Sequence, residues 1–288
     1  MYTLVLQSDF GLVDGAVSAM HGVAKQVCQD LEVASITHDI PVYDIWSASY
    51  RLIQTIYYWP LGTVFVSVVD PGVGSHRRSI AIKTKAGQFV ITPDNGTLSH
   101  LAHFDMIEEV RVIDEVKSRL PHSQESHTFH GRDIYAYNGA RLASGQVSFE
   151  ELGSAVDVST IECLEVKDPV LTDKGIEGSI DILDIRFGSL WTNISLDLLK
   201  EANIGNNDWL FVGIEYHGKR VYQNVMPFAR SFAQVEIGQP LVYVNSLTNL
   251  GVAVNQDSFS KLYKIGYGKG WTIHIQKVSD EFLKLYVN

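Results

Sequence analysis

Four short polar runs in this chain hold residue types that chemistry can use. The first is Ser8-Asp9-Phe10-Gly11, with Asp14 close behind. The second is Asp70-Pro71-Gly72-Val73-Gly74, with Arg77 one short loop further on. The third is Thr92-Pro93-Asp94-Asn95-Gly96, and the fourth is Thr128-Phe129-His130-Gly131-Arg132-Asp133. A guanidinium beside a carboxylate keeps it ionised and fixes its orientation, so Asp70 and Arg77 can form a charged pair at a reaction centre. Gly72 and Gly74 permit turns and close ligand approach that side chains resist. His130 can act as a general base or bond a nucleophilic water. An aspartate at the end of a first strand can hold a ribose diol. Plainer readings stand beside these. Asp-Pro-Gly and Asn-Gly are generic turn formers, Asp9 can cap a helix, and a lone histidine is often structural.

These runs need elements to position them. Tyr2 to Gln7 reads as a strand that leads into the Asp9 run. Val13 to Asp30 has helical spacing, with Val17, Met20, Val23, Ala24 and Val27 on one face. Leu31 to Thr37 reads as a strand and Ile45 to Tyr58 as a helix. Thr63 to Val69 is an almost unbroken β-branched run, the pattern of a strand buried on both faces. Ser79 to Thr84 and Gln88 to Thr92 read as a strand pair joined near Ala86-Gly87. The alternation predicts an α/β domain, residues 1–165, with a mostly parallel sheet and helices on both sides. Three of the polar runs then follow strand ends, the edge where open α/β sheets bind ligands.

The pattern changes after about Glu165. Val166 to Lys174 reads as a linker. From residue 175 to 288 short alternating segments such as SIDILDI, WLFVGIEY and PLVYVN predict a smaller all-β domain, a barrel. Little helix is expected there beyond Leu196 to Glu201.

The chain has 288 residues, 45% hydrophobic and 19% charged, enough to build a sizeable core without metal or disulfide. Its formal net charge of −10 argues against nucleic acid as a partner. Cys28 and Cys163 form no zinc or CxxC pattern and read as reduced thiols. No signal peptide and no membrane span is expected, which points to the cytoplasm. No GxGxxG, GxxxxGK[ST], GxSxG or HExxH motif is present.

From SDFG near the start, through DPGVGSHRR and TFHGRD, to YVNS near the end, the chain resembles the S-adenosylmethionine hydroxide adenosyltransferases, relatives of the bacterial fluorinase and chlorinase. The motifs occur in the family's order over nearly the whole chain. The resemblance implies a Rossmann-like N-terminal domain, a C-terminal β-barrel, and a homotrimer with sites at subunit interfaces. It implies hydrolysis of S-adenosylmethionine to adenosine and methionine, without a cofactor or metal, by water or hydroxide attack at ribose C5′. Asp70, Arg77 and His130 would be the catalytic set. Halogenating relatives carry tyrosine in place of Asp70, and serine or another small residue in place of Gly131. Asp9 would hold the ribose hydroxyls, with Tyr43 and Phe129 as aromatic walls, and Asp14 would lie in the methionine-contacting segment. Asp184, Phe187 and Ser189 match the family's aspartate and F-G-N motif, written here DIRFGS. Asp184 would grip the methionine ammonium. Ser189 replaces the asparagine that meets adenine, and Ser246 matches the methionine-carboxylate segment. Where the family usually has glycine in the next turn, this chain reads Leu247-Thr248-Asn249.

Two other functions fit some of the same residues. A two-metal phosphoesterase would use Asp9, Asp14, Asp70, Asp94, Asn95, His130 and Asp133, although no HxD or GNH pairing is present. A non-catalytic S-adenosylmethionine sensor would bind without turnover.

Overall fold

The apolar runs of the first half form strands stacked between helices. In chain order these are β1 (Leu4–Ser8), α1 (Ala16–Val27), β2 (Val33–Thr37), α2 (Ile45–Ile56), β3 (Val64–Val68), β4 (Ser79–Thr84), β5 (Phe89–Pro93), α3 (Ser99–His103), β6 (Ile107–Ile113), a π-helix (Gly131–Ala136), α4 (Tyr137–Ser144) and β7 (Gly153–Val156). The computed structural model describes residues 2–279 and 281–283 and separates into two units, Met1–Val166 and Lys167–Asn288.

The first unit is a seven-stranded sheet in the order β2-β1-β3-β5-β4-β6-β7. The strands β1 and β3 are buried at every position, as their β-branched composition demands. Val64, Val66 and Val68 of β3 pack with Met20 and Ala24 of α1 and Ala140 and Ala143 of α4. From the alternate positions, Ser67 accepts from the Gln7 amide, which also donates to the Ala48 carbonyl of α2. Helices therefore cover both faces of the central strands.

The pairs β1/β2, β1/β3 and β3/β5 are parallel, while β4/β5, β4/β6 and β6/β7 are antiparallel. The sheet is mixed, and the expectation of a mostly parallel Rossmann-like sheet is corrected to that extent. The cause is local. The turn ending at Gly87, whose φ is 87°, folds β5 back on β4 as a hairpin. Every strand added beyond that hairpin is antiparallel to its neighbour. Because β1, β3 and β5 remain parallel, the loops after them emerge at one edge.

The second unit contains β8 (Val170–Thr172), β9 (Gly175–Leu183), β10 (Leu190–Ser195), α5 (Leu196–Glu201), β11 (Trp209–Tyr216), β12 (Lys219–Pro227), β13 (Pro240–Val244), β14 (Asn249–Val254), α6 (Phe259–Tyr263) and β15 (Trp271–Lys277). Its strands run β12-β11-β15-β9-β10-β14-β13, all antiparallel, and β8 adds to β9. A bridge between Phe228 and Val242 brings the two ends of this path together, so the sheet is a nearly closed barrel. Its interior holds Ile176, Ile180, Leu210, Val212, Phe228 and Ile275, all at most 1% exposed. Residues 170–172 of the expected linker form β8, and residues 284–288 of the expected barrel domain lie outside the described residues.

Gly139 marks the tightest helix–sheet contact. A Cβ there would sit 2.5 Å from Val66 Cγ2 and 3.0 Å from Leu4 Cδ1. We expect Gly139→Ala to overpack this contact and destabilise the first unit by about 1–3 kcal/mol, read as a lower urea midpoint.

Candidate active site

Asp70 ends the loop-side face of β3, and Arg77 returns to it from the loop before β4. Arg77 Nε donates to Asp70 Oδ1 at 2.9 Å, and Nη2 donates to Oδ2 at 2.5 Å. The pair is nearly sealed, with side chains 6% and 9% exposed. Gly72 sits in the connecting turn with φ in the ordinary range, whereas Gly74 has φ 78°. A Cβ at Gly74 would also lie 3.2 Å from the His127 carbonyl. Two independent constraints therefore require glycine at position 74.

The rest of the guanidinium is equally committed. Nη1 donates to Ser79 Oγ at 3.1 Å and to Glu115 Oε1 at 3.2 Å, and Nη2 also faces His130 Nδ1 at 2.9 Å. All five N–H groups of Arg77 thus have an acceptor in reach. Its plane lies over the ring of the buried Tyr135, 5.6 Å from the centroid. Burial opposes the charge of Arg77, but the bond to Asp70 and the fields of Tyr135, Asp70 and Glu115 outweigh it and raise its pKa. Ser79 Oγ bonds Glu115 Oε1 at 2.6 Å and Tyr135 Oη at 3.0 Å, which closes the network.

His130 is 3% exposed and precedes the π-helix. Such helices are rare and concentrate at functional sites. This one aims Tyr135 back at Ser79 while His130 faces Asp70 and Arg77. Burial, reinforced by Arg77 and a second arginine, Arg119, lowers the His130 pKa against the opposing fields of Glu115 and Asp70. The balance favours the neutral imidazole over the charged one.

Asp9, Tyr43, Asp70, Phe129, His130 and Gly131 line one cleft of about 250 Å³. Asp9 Oδ2 accepts from the Tyr43 N–H at 2.9 Å. Tyr43 has φ 68°, a left-handed conformation that costs energy in a residue with a Cβ. Phe129 packs edge-on against Phe10, with centroids 5.7 Å apart. A Cβ at Gly131 would meet the Phe10 ring at 3.1 Å and Val68 Cγ1 at 3.3 Å, so a side chain there would have to push this wall back by a few tenths of an ångström. The floor behind Asp9 is held by His38, which bonds Ser8 Oγ at 2.7 Å and Ser35 Oγ at 3.0 Å.

Asp14 does not line this cleft. It accepts from the Ala16 N–H at 2.9 Å, at the start of α1. Asp94 and Asp133 are also committed elsewhere, to Arg78 at 2.5 Å and Arg132 at 2.7 Å. Among the described residues no group of three His, Cys, Asp or Glu side chains stands together as a metal site. Of the carboxylates that a two-metal phosphoesterase would use, Asp70, Asp94 and Asp133 are instead paired one by one with arginines, and Asp9 and Asp14 accept from backbone N–H groups.

The barrel carries a larger cavity of about 770 Å³, lined by Asp184, Phe187, Ser189 and Ser246 among others. Sequence reasoning missed Trp191 and Tyr243 in the same wall. Tyr243 Oη accepts from Trp191 Nε1 at 3.1 Å and hydrogen-bonds Ser189, while burial raises its pKa. Its ring lies against Gly251, where a Cβ would sit 2.6 Å from the ring. Sequence reasoning also missed Glu115 and Arg119, which lie on a polar loop without periodicity.

These features define a two-unit protein with a buried Asp–Arg–His cluster on a mixed α/β sheet and an aromatic-walled pocket on a barrel. The same division appears in comparisons with known proteins. The SAM hydroxide adenosyltransferase N-terminal domain matches residues 4–153, and the C-terminal domain of the same name matches residues 178–272. The chain belongs to the SAM hydroxide adenosyltransferase family. It is 32% identical over 271 residues to the (R)-S-adenosyl-L-methionine hydrolase of Methanocaldococcus jannaschii, covering 92% of each chain. It is 34% identical over 257 residues to the enzyme of that name from Thermus thermophilus, covering 87% of this chain and 91% of the relative. It is 26% identical over 292 residues to the fluorinase of Actinopolyspora mzabensis, covering 92% and 94%. A crystal structure of a conserved protein from Thermotoga maritima superposes with a TM-score of 0.85 at 30% identity, covering 95% of this chain and all of the other.

Removing one partner of the sealed ion pair strands the other charge. We expect Arg77→Leu to destabilise the first unit by about 3–5 kcal/mol. Adding Asp70→Asn to it should recover a large part of that loss. Urea unfolding of the two single variants and the double variant measures the coupling.

Proposed function

We propose that this chain hydrolyses S-adenosyl-L-methionine to adenosine and L-methionine. The observation that carries the reading is the Asp70–Arg77–His130 cluster, which presents a carboxylate and a neutral imidazole to one cleft. The chemistry asks for little else. A sulfonium is already a good leaving group, so no acid is needed to protonate it. The water oxygen forms a bond to ribose C5′ as the C5′–S bond breaks, and the electron pair of that bond leaves on the methionine sulfur. Asp70 and His130 are the two acceptors available for the proton that the water gives up. Arg77 fixes both of them in place and favours a hydroxide-like oxygen beside them. Attack by such an oxygen on a sulfonium brings opposite charges together, which a dry pocket favours over bulk water.

In this reading Asp9 holds the ribose hydroxyls between Tyr43 and Phe129. Gly131 leaves space for the nucleophile. On the barrel, Asp184 takes the methionine ammonium, Ser246 its carboxylate, and Ser189 with Phe187 the adenine. Asp14 fits less well, because it lies at the start of α1 and outside the cleft. A carboxylate on the cleft wall also disfavours a halide nucleophile, which separates this chain from the fluorinases it resembles.

The same proposal includes a homotrimer with sites at subunit interfaces. A cleft of about 250 Å³ is small for an adenosyl sulfonium, since ligand pockets usually run from about 300 to 1,000 Å³. Val42 of its lining is 65% exposed, and Leu12 and Val13, which follow Phe10 of the lining in sequence, are 71% and 100% exposed. Phe187 on the barrel is 71% exposed as well. Surfaces of this kind mark sites that another protein surface covers. No described helix is long and apolar enough to cross a membrane, and a cytoplasmic location accords with two cysteines outside any disulfide.

Purified, EDTA-treated protein incubated with S-adenosylmethionine should release adenosine and methionine in equal amounts. Excess chloride should add no 5′-halogenated nucleoside. Both sulfonium epimers belong in this assay, because the hydrolase relatives are named for the (R) form. Asp70→Asn should lower kcat by about 100-fold or more. Near-normal turnover in that variant would overturn the assignment, and tight binding without turnover in the wild type would favour the sensor.

A further inference from the structure

Both ring nitrogens of His130 face an arginine. Nδ1 lies 2.9 Å from Arg77 Nη2, and Nε2 lies 3.0 Å from Arg119 Nη2. A guanidinium can only donate, and a neutral imidazole has one acceptor nitrogen. The protonated ring has none, so protonation would set donor against donor at both contacts. Arg119 is placed there by its neighbours. Asn138 Nδ2 donates to the Ser118 carbonyl at 2.7 Å, and the Leu120 N–H donates to the Asp133 carbonyl at 2.9 Å. The backbone on each side of Arg119 is therefore tied to the helical segment that carries His130. Its Nη1 donates to the Ser126 carbonyl at 3.1 Å, which turns the fork toward the imidazole.

We propose that Arg119 is a positioning residue for the hydrolysis, acting through His130: it holds the imidazole neutral and covers Nε2 from the side opposite Arg77. The inference rests on the hydrolase reading given above. The charged and titratable groups that face His130 are Asp70 from the end of β3, Arg77 from the loop before β4, and Glu115, Arg119 and His127 from the loop after β6. Glu115 Oε2 is 3.8 Å from Nδ1 and favours the charged ring. Arg77 is fully committed to Asp70, Ser79 and Glu115, and it opposes Glu115 from the Nδ1 side alone. Arg119 supplies the matching opposition at Nε2. Because the two arginines compete for a single acceptor nitrogen, one contact must yield when a substrate water arrives. Arg119 has the fewer other bonds, so it is the one that moves, and His130 then accepts from the water at Nε2 with its ring proton on Nδ1, the nitrogen 3.8 Å from Glu115 Oε2.

A cation beside the ring lowers the pH at which His130 takes up a proton, and the protonated ring offers no acceptor to water. Removing the cation therefore moves the loss of activity to higher pH. In Arg119→Met the acidic limb of the kcat profile should shift upward by about one pH unit. KM should stay within about two-fold, and activity above the shifted limb should approach that of the wild type. Arg119→Lys, which keeps the charge, should restore much of the shift. A residue with a structural role alone would lower activity equally at every pH. The His130 resonance, assigned in labelled protein with His130→Gln, gives a second readout without substrate. It should titrate below 6.5 in the wild type and higher in Arg119→Met. An unchanged limb and an unchanged titration in folded Arg119→Met would overturn the proposal. If Arg119→Met does not fold, a wild-type His130 titrating at or above 6.5 would overturn it equally. Absence of turnover in the wild type would defeat the hydrolase reading, while the titration would still decide the role of Arg119.

Discussion

One guanidinium organises this molecule's reactive end. Arg77 joins the end of β3, the start of β4, the loop after β6 and the π-helix through acceptors on each. A charge buried this far is tolerated only when its donors are satisfied and an opposite charge stands close. Asp70 supplies that charge, Ser79 and Glu115 accept from Nη1, and His130 Nδ1 stands against Nη2. Each of these acceptors is thereby placed within hydrogen-bond distance of one rigid, planar group. A lysine has a single ammonium on a flexible stem and would impose no such geometry. The positions of the carboxylate and the imidazole are consequences of satisfying Arg77.

The sheet makes that arrangement possible by delivering different loops to the same edge. The parallel run β1, β3 and β5 brings the Asp9, Asp70 and Asp94 loops together. The return through β4, antiparallel to β5, starts at the edge where β3 ends and brings Arg77 within hydrogen-bond distance of Asp70, and β6 ends just before Glu115. An all-parallel sheet would have sent the chain after Asp70 through a helix before it came back. The short return of seven residues to Arg77 depends on the mixed topology.

Much of this was legible in the sequence, for physical reasons. The unbroken apolar run of β3 reports a strand covered on both faces, and the Gly87 turn reports the β4–β5 hairpin. The barrel's strands announced themselves by alternation. The residue types at 70, 77 and 130 suggested chemistry, and the family resemblance put them together. The strands β6 and β7 and helix α4 drew no assignment, since β6 alternates imperfectly and β7 has four residues. The π-helix was beyond reach, because a six-residue segment carries too few apolar positions to distinguish its period from 3.6. Glu115 and Arg119 lie in a polar loop, where composition says nothing about which side chains turn inward. The role expected of Asp14 came from the family resemblance alone, and its carboxylate accepts from the Ala16 N–H at the start of α1.

The two units also differ in how firmly they hold their candidate residues, and the proposed chemistry explains why. Asp70, Arg77 and His130 are nearly sealed and cross-bonded, and small displacements of an in-line nucleophile are costly. Ser246 of the barrel, proposed for the methionine carboxylate, is exposed, and recognition of a flexible amino-acid chain would tolerate more give. Ser189 sits between these extremes. It is buried and hydrogen-bonded to Tyr243, which Trp191 holds in turn. An asparagine amide at this position would offer a donor and an acceptor side by side, whereas a hydroxyl that already serves Tyr243 has less to give a base edge. Under the proposed reading, the aromatic wall built by Trp191 and Tyr243 would compensate in kind, since stacking supplies affinity without demanding paired hydrogen bonds. The departure at Ser189 therefore changes how a purine ring would be gripped and leaves the Asp70–Arg77–His130 cluster untouched.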